Sequence, residues 1–273
     1  MSYRKCSPCG AGGLGLLVVL TWLVKPLCAA AETSFTVGVK AWATTWSTWA
    51  LDQKPYNSAS YQTVASLESD TAIAVIPLVS VRSGKWFVSG SYMTKTKYEL
   101  TAAEPAGPLQ HAIGVRSEVD ANIGYSIVPG LAITAGYKEL KQQFGSTFKW
   151  SGPTVGLALS APLGSSGLGV YGTIGYGFLT LDLPSGTTDA SGHSSRPANY
   201  ELSEVGIVYA FNPSWWPRSR ITATLGYRAQ TVTTRDYGLS SSPLDNPAAL
   251  SEYTQTDVRD HTQGFTLTLL ATL

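Results

Sequence analysis

The sequence predicts an all-β fold: a transmembrane, antiparallel, up-and-down β-barrel of about ten strands, with eight or twelve as alternatives. Three observations carry that expectation. Residues alternate with period two along nearly the whole chain after the first 31, as strands require. The connections between the alternating stretches are short and long in turn, which fits a barrel with tight turns at one end and loops at the other. Finally, one face of each stretch is aliphatic and aromatic while the other mixes Gly, Ser, Thr and charges, so neither face reads as an ordinary solvated one.

The N-terminal segment has a different character. Arg4 and Lys5 precede an apolar run from Gly10 to Val24, and Cys28-Ala29-Ala30-Ala31 offers a small-residue cleavage site before Glu32. Residues 1–31 are therefore expected to be a removed signal peptide, leaving 32–273 as a single barrel domain. Cys6, Cys9 and Cys28 all fall in the signal, so the C-x-x-C spacing carries no redox or zinc chemistry in the mature chain. Removing Arg4, Lys5 and Lys25 from 19 basic residues while keeping all 18 acidic ones leaves a slightly acidic protein, with nothing that suggests nucleic-acid binding.

The strands follow in order. The first, 34–49, alternates Phe35, Val37 and Val39 with Thr36, Gly38 and Lys40, and the second, 71–82, is rich in β-branched residues. The third, 86–100, sets Trp86, Val88, Gly90 and Tyr92 against Ser89, Ser91, Lys95 and Lys97. The fourth and fifth lie on either side of the turn Val128-Pro129-Gly130 and extend to about 144. In the fourth, Arg116, Glu118 and Asp120 alternate with Val115, Val119, Ala121 and Ile123. The sixth (153–163) and seventh (168–182) flank Gly164-Ser165-Ser166-Gly167. The eighth (199–211), ninth (219–235) and tenth (259–273) follow; in the ninth, Ile221, Ala223, Leu225, Tyr227 and Ala229 share one face. Short turns close strands two, four, six and eight. Longer connections follow the odd strands, at 50–70, 184–198 and 236–258, with 145–152 the shortest of that set.

Aromatics mark both ends. Trp86, Trp215 and Trp216 sit at the short-turn end, and Trp46, Trp49 and Trp150 at the other, an arrangement expected of interfacial girdles. With the signal, the strand–turn alternation and a final strand that puts Phe265, Leu267, Leu269, Ala271 and Leu273 on one face, the chain resembles small Gram-negative outer-membrane β-barrel proteins. That resemblance implies residence in outer-membrane lipid and handling by the barrel-assembly machinery, which reads a terminal aromatic where this chain has Leu273.

If the aliphatic faces meet lipid, the polar faces look inward. The lumen is then expected to hold Lys40, Lys95, Lys97, Glu99, Arg116, Glu118, Asp120, Lys138, Glu204, Arg220 and Arg228. The turn at 128–130 sets Ile127 opposite Leu131 and Asp120 opposite Lys138. Across the next loop, one register places Glu99 by Arg116, Lys97 by Glu118 and Lys95 by Asp120, so that opposite charges meet. Such a ladder either plugs a narrow lumen or lines a selective pore.

The function expected is a non-enzymatic membrane barrel, either a porin-like narrow channel for small solutes or a structural and interaction barrel, without cofactor or metal. Two other classes remain. A rim hydrolase would draw on Asp257, Asp260 and His261 beside Ser240, Ser241, Ser242 and Ser251, with His111 and His193 also near the loops. The spacing does not reproduce the Asp-x-His arrangement of omptin proteases. A soluble periplasmic ligand-binding barrel would instead turn the aliphatic faces inward.

Overall fold

The structure is a computed structural model that describes residues 33–56, 59–102, 112–144, 146–186, 193–217, 219–240 and 254–273. The expected signal peptide lies outside the described residues, as do His111, Ser241, Ser242 and Ser251. Eleven antiparallel strands form one sheet: β1 (Thr33–Tyr56), β2 (Ala59–Ser69), β3 (Ala72–Ser83), β4 (Trp86–Ala102), β5 (Ala112–Val128), β6 (Leu131–Phe144), β7 (Ser146–Pro162), β8 (Leu168–Asp182), β9 (Ser195–Phe211), β10 (Arg220–Ser240) and β11 (Thr254–Thr272). The last strand pairs with the first, from Thr36↔Thr272 to Ser47↔His261, so the sheet closes and no edge is left between them.

Strands β2 and β3 both pair with β1 along successive stretches. Their register slips by one residue between Ser47↔Glu68 and Thr44↔Ala72, at Asp70–Thr71. They are one position in the ring broken by an irregularity, so the barrel has ten positions around its circumference. The turns after β3 and β5 use glycines with positive φ, Gly84 (58°) and Gly130 (83°). At Gly130 a Cβ would also meet the Ser160 carbonyl oxygen at 2.2 Å, so no other residue fits that turn unchanged.

Two stretches expected as loops are strand. Within the interval 50–70, residues 50–56 and 59–69 continue the β1–β2 hairpin, and 145–152 belongs largely to β7, where Phe148 and Trp150 give the strand a buried face despite its Gly, Ser and Lys content. Strands β9, β10 and β11 likewise extend beyond the expected 199, 235 and 259.

Along most strands the parity of side chains is constant, with irregularities in β4 after Met93 and in β10 after Thr234, yet the chemistry of the two faces changes partway up. On β6, Leu131, Ile133, Ala135 and Tyr137 point outward near the short turns, followed on the same face by Glu139, Lys141 and Gln143. Inward, Ala132, Thr134 and Gly136 give way to Lys138, Leu140 and Gln142. On β8, outward Ile174, Tyr176 and Phe178 yield to Thr180 and Asp182, while inward Thr173, Gly175 and Gly177 yield to Leu179 and Leu181. On β10, outward Leu225 and Tyr227 precede Thr231, Thr233 and Arg235.

The turn-side half is therefore apolar outside and lined with small polar residues inside. The loop-side half is polar outside and packed inside. Two buried clusters fill it: Trp42, Trp46, Leu67, Ala74, Ile76, Met93, Tyr98 and Leu100 on one side, and Trp49, Leu140, Trp150, Leu179, Leu181, Ala198, Tyr200, Val232 and Val258 on the other. Beyond Ser47, β1 leaves β11 and its hairpin with β2 leans across the mouth, bringing β2 against β10 although β1 and β11 lie between them in the ring. The Trp49 ring consequently packs on Phe148 of β7 (5.9 Å between centroids) and Tyr237 of β10 (4.9 Å).

Candidate functional site

The level at which the strands change character holds the charged side chains. Lys40 on β1, Arg116, Glu118 and Asp120 on β5, Lys138 on β6, Glu204 on β9, Arg228 on β10 and Asp260 on β11 all share the inward parity of their strands. They form one connected network. Arg116 donates through Nε to Glu118 at 2.9 Å and through Nη1 to Asp260. Lys138 reaches Glu118 at 2.7 Å and Asp120 at 3.1 Å. Glu204 takes Lys40 at 2.8 Å and Arg228 at 3.3 Å, along with the hydroxyls of Tyr171 at 3.0 Å and Thr266 at 3.2 Å.

Gln230 joins the two halves of this array. Its amide nitrogen donates to Glu118, and its oxygen accepts from Arg228 at 3.2 Å and from Tyr200 at 3.1 Å. Asp260 also accepts from Trp46 Nε1 at 2.7 Å and from Gln142 Nε2. Three rings lie against the cations: Trp46 at 5.7 Å from Arg116, Trp42 at 5.2 Å from Arg228 and Tyr200 at 4.7 Å from Lys138. The array runs from the β5–β6 wall to the β9–β10–β11–β1 wall, with four cations matched by four carboxylates.

Burial is graded through it. The Arg116 and Lys138 side chains are 0% exposed, whereas Asp120 is 26% and Lys40 15% exposed, on the side of the small-residue half. That half is open and polar, with Ser91, Asn122, Thr134, Thr222 and Thr224 among its inward residues. Close packing shapes its wall in places. Gly206 and Gly226 face each other across β9 and β10, and a Cβ on Gly226 would meet the Tyr171 hydroxyl at 2.2 Å, so the pair leaves the slot through which Tyr171 reaches Glu204.

Against the sequence expectations, Asp120 pairs with Lys138 as read, although the turn closes on Val128↔Leu131 instead of Ile127↔Leu131. The register across β4 and β5 differs. Thr96 faces Arg116, Met93 faces Glu118 and Ser91 faces Asp120, with an irregularity between Met93 and Thr96. That bulge reverses the faces of the rest of β4. Lys95, Lys97 and Glu99 therefore point outward, and Met93, Thr96, Tyr98 and Leu100 inward. Arg220 has inward parity but lies exposed at the turn-side rim, beside a recess of about 510 Å³ shared with Ser34, Ser219 and Thr272.

The aromatic expectation divides by end. Trp86, Trp215 and Trp216 are exposed around the turn-side rim. Trp46, Trp49 and Trp150 are not part of an outer girdle: all three are buried in the interior, because the loop-side half packs like a soluble core. Of the residues imagined for a hydrolase, Asp260 is tied into the lumen network, while His261 takes the opposite face and meets Thr231 at 2.9 Å. Gln142, Gln230, Trp42, Tyr171 and Tyr200 are absent from the sequence expectations, and Asp260 is expected there only at a hydrolase rim. Asp260 was within reach, since Phe265, Leu267 and Leu269 fix the outward parity of β11 and leave Asp260 on the inward one.

Outside the barrel, above the apolar belt, Glu139 binds Lys141 at 2.7 Å and Lys149 at 3.2 Å. The hydrogen bond from Lys141, and next that from Lys149, holds the Glu139 carboxyl below the ordinary glutamate range.

No protein-family model and no curated protein matches the sequence. Among solved structures the chain is similar to the Pseudomonas putida toluene transporter TodX, at 9% identity and a TM-score of 0.28 over 90% of this chain and 91% of that one. It is similar to a Pseudomonas aeruginosa FadL homologue, at 8% identity and a TM-score of 0.26 over 88% and 90%. The outer-membrane expressed OmpT of Vibrio cholerae gives 10% identity and a TM-score of 0.25 over 86% and 98%. Likenesses this distant say nothing of function.

Proposed function

We propose that this chain is an integral outer-membrane β-barrel, exported through a cleaved signal at 1–31, that crosses the bilayer with its turn-side half and presents a closed, internally packed half at the outer surface. The apolar outer belt supports the membrane reading. Its outward run covers Ile221–Ala229 on β10 and Leu168–Phe178 on β8, close to the roughly 9–11 residues a tilted strand needs to cross a bilayer. In water, an exposed band containing Val39, Ile123, Val155, Ile207, Leu267 and their neighbours around the whole ring would drive aggregation. A soluble binding barrel would carry these residues inside.

Within that reading, the barrel acts as a structural or interaction module and is closed to solutes. The observation that carries this is the complete burial of Arg116 and Lys138 in a charge-balanced array spanning the lumen. An ion path through this level would have to break charge-assisted bonds that are costly to leave unmade in a dry interior. Recording from the refolded mature protein in a planar bilayer tests it. Insertion without steady current is the expected outcome, and R116A should raise conductance by opening the array. Steady ion-selective openings in the unaltered protein that shift when Arg116 or Asp120 is replaced would instead make it a narrow pore filtered by the same residues.

A further inference from the structure

The bulge in β4 has turned two lysines out of the barrel, and they join others there. Lys95, Lys97 and Lys141 are exposed on the outer face just above the apolar belt, with Lys149 half-exposed beside them. Lys141 stands directly opposite Lys149 on β7 and opposite Ser117 on β5, and Ser117 faces the bulge that carries Lys95. Like charges set directly across a strand pair are unfavourable, and among the described outward residues of this sector the four lysines meet three carboxylates, Glu99, Glu139 and Asp182, the last directly opposite Lys149, which leaves one positive charge in excess. Around β9 to β11 the balance is reversed, with Glu201, Asp236 and Asp257 exposed against Arg235 and Arg259.

Beneath the lysines, the same strands carry an apolar groove of about 720 Å³. Tyr125, Ile133, Leu157 and Ile174 form one ridge in register across β5 to β8, and Ile123, Ala135, Val155 and Tyr176 form the other. Gly124, Thr134, Gly156 and Gly175 make the floor between them, sending little or nothing outward, and Trp86 closes one end. From Lys141 or Lys149 to the groove is six to eight residues. That is roughly 20–26 Å of strand and about 15–20 Å along the membrane normal at the usual tilt, comparable with one leaflet of a hydrocarbon core about 30 Å thick.

We infer that the outer face of β4 to β8 binds an anionic lipid with a terminal phosphate from the outer leaflet, the phosphate on Lys95, Lys97, Lys141 and Lys149 and an acyl chain in the groove. The inference rests on the membrane reading above. Clustered lysines at a membrane surface attract anionic headgroups, and their aliphatic stems can lie along the belt while the ammonium groups stay at the interface. Charge complementarity and the match of spacing to one leaflet select a lipid over a protein partner.

The test uses the refolded mature chain in mild detergent, with native mass spectrometry of the lipid retained. Dimyristoyl phosphatidic acid should be retained in preference to dimyristoyl phosphatidylcholine of the same chain length. K141Q/K149Q and K95Q/K97Q should each lower retention, by about fivefold per lysine removed, while R235Q/R259Q on the opposite face leaves it unchanged. Heat-dependent gel mobility confirms that each variant is folded. Equal retention of the two lipids, or retention indifferent to the lysines, would overturn the proposal. So would full displacement by inorganic phosphate, which would mark a free-ion site, or a lipid-independent dimer covering the face. A barrel that inserts into bilayers yet retains no lipid fails this proposal alone, whereas a chain soluble without detergent fails the membrane reading beneath it.

Discussion

The two halves of this barrel exchange their inner and outer chemistry along the same ten strand positions. In the turn-side half, Ile133, Leu157 and Leu269 look outward and Thr134, Gly156 and Thr268 inward. In the loop-side half, Lys141, Lys149 and Arg259 look outward while Leu140, Trp150 and Val258 are buried. Parity never changes along β6, β7 or β11; only the side chains placed on each face do. The difference teaches that inside and outside are not fixed properties of a strand face. In the proposed membrane setting they follow what surrounds the face at that height, lipid for the lower part and water for the upper. The charged array sits at the exchange, where neither a wet lumen nor an apolar core is complete.

The largest expected effect comes from breaking that boundary. D260A removes the acceptor shared by Arg116, Trp46 and Gln142. Removing one partner from a buried ion pair costs about 3–5 kcal/mol, and Arg116 would keep only its bond to Glu118, so the urea midpoint for loss of the compact gel form should fall sharply. A midpoint close to that of the unaltered protein would mean the array is hydrated and the loop-side half is not sealed.

The next test sharpens the comparison of the two interiors. W150A should cost about 3–5 kcal/mol, because a fully buried indole leaves a cavity among Leu140, Leu179 and Leu181. In the same assay T134A, in the open half, should stay within about 0.5 kcal/mol. Similar losses at both positions would contradict a packed upper and an open lower lumen.

The smallest effect belongs to the outer surface. E139Q should lower stability by less than about 1 kcal/mol at neutral pH, since exposed pairs contribute little. Because the folded-state pKa of Glu139 is depressed, its contribution is present above the ordinary glutamate value, near 4.3, and disappears as pH falls through the lower folded value. The gap between the two proteins in a urea titration should accordingly close in acid. A gap that widens there would reverse the sign and break the assignment.

How legible all this was depended on how local the cause was. Alternation along β5, β6, β8 and β10 marked their faces, and Val128-Pro129-Gly130 fixed the pairing of Asp120 with Lys138, since a tight turn leaves little freedom of register. The register across the longer β4–β5 connection was not recoverable in that way. A one-residue bulge near Thr94–Lys95 reverses every later side chain, and nothing in the local sequence distinguishes it from continued alternation. Trp46, Trp49 and Trp150 were misplaced for a related reason. Tryptophans near strand ends in a membrane barrel suggest an interface, but these strands run past the belt and bury them in a core of their own.

By itself, the sequence determined an antiparallel barrel, the faces of most strands, and the membership of Lys40, Arg116, Glu118, Asp120, Lys138, Glu204 and Arg228 in its interior. Those features follow from period-two alternation and short turns, which act over a few residues. Only the tertiary structure decided that Asp260 and Gln230 link these charges across the lumen, that β2 and β3 share one position in the ring, and that the hairpin of β1 and β2 leans over the mouth. Those depend on closure between β11 and β1, which brings residues more than 200 positions apart into contact, such as Trp46 with Asp260, and closure is a property of the whole ring.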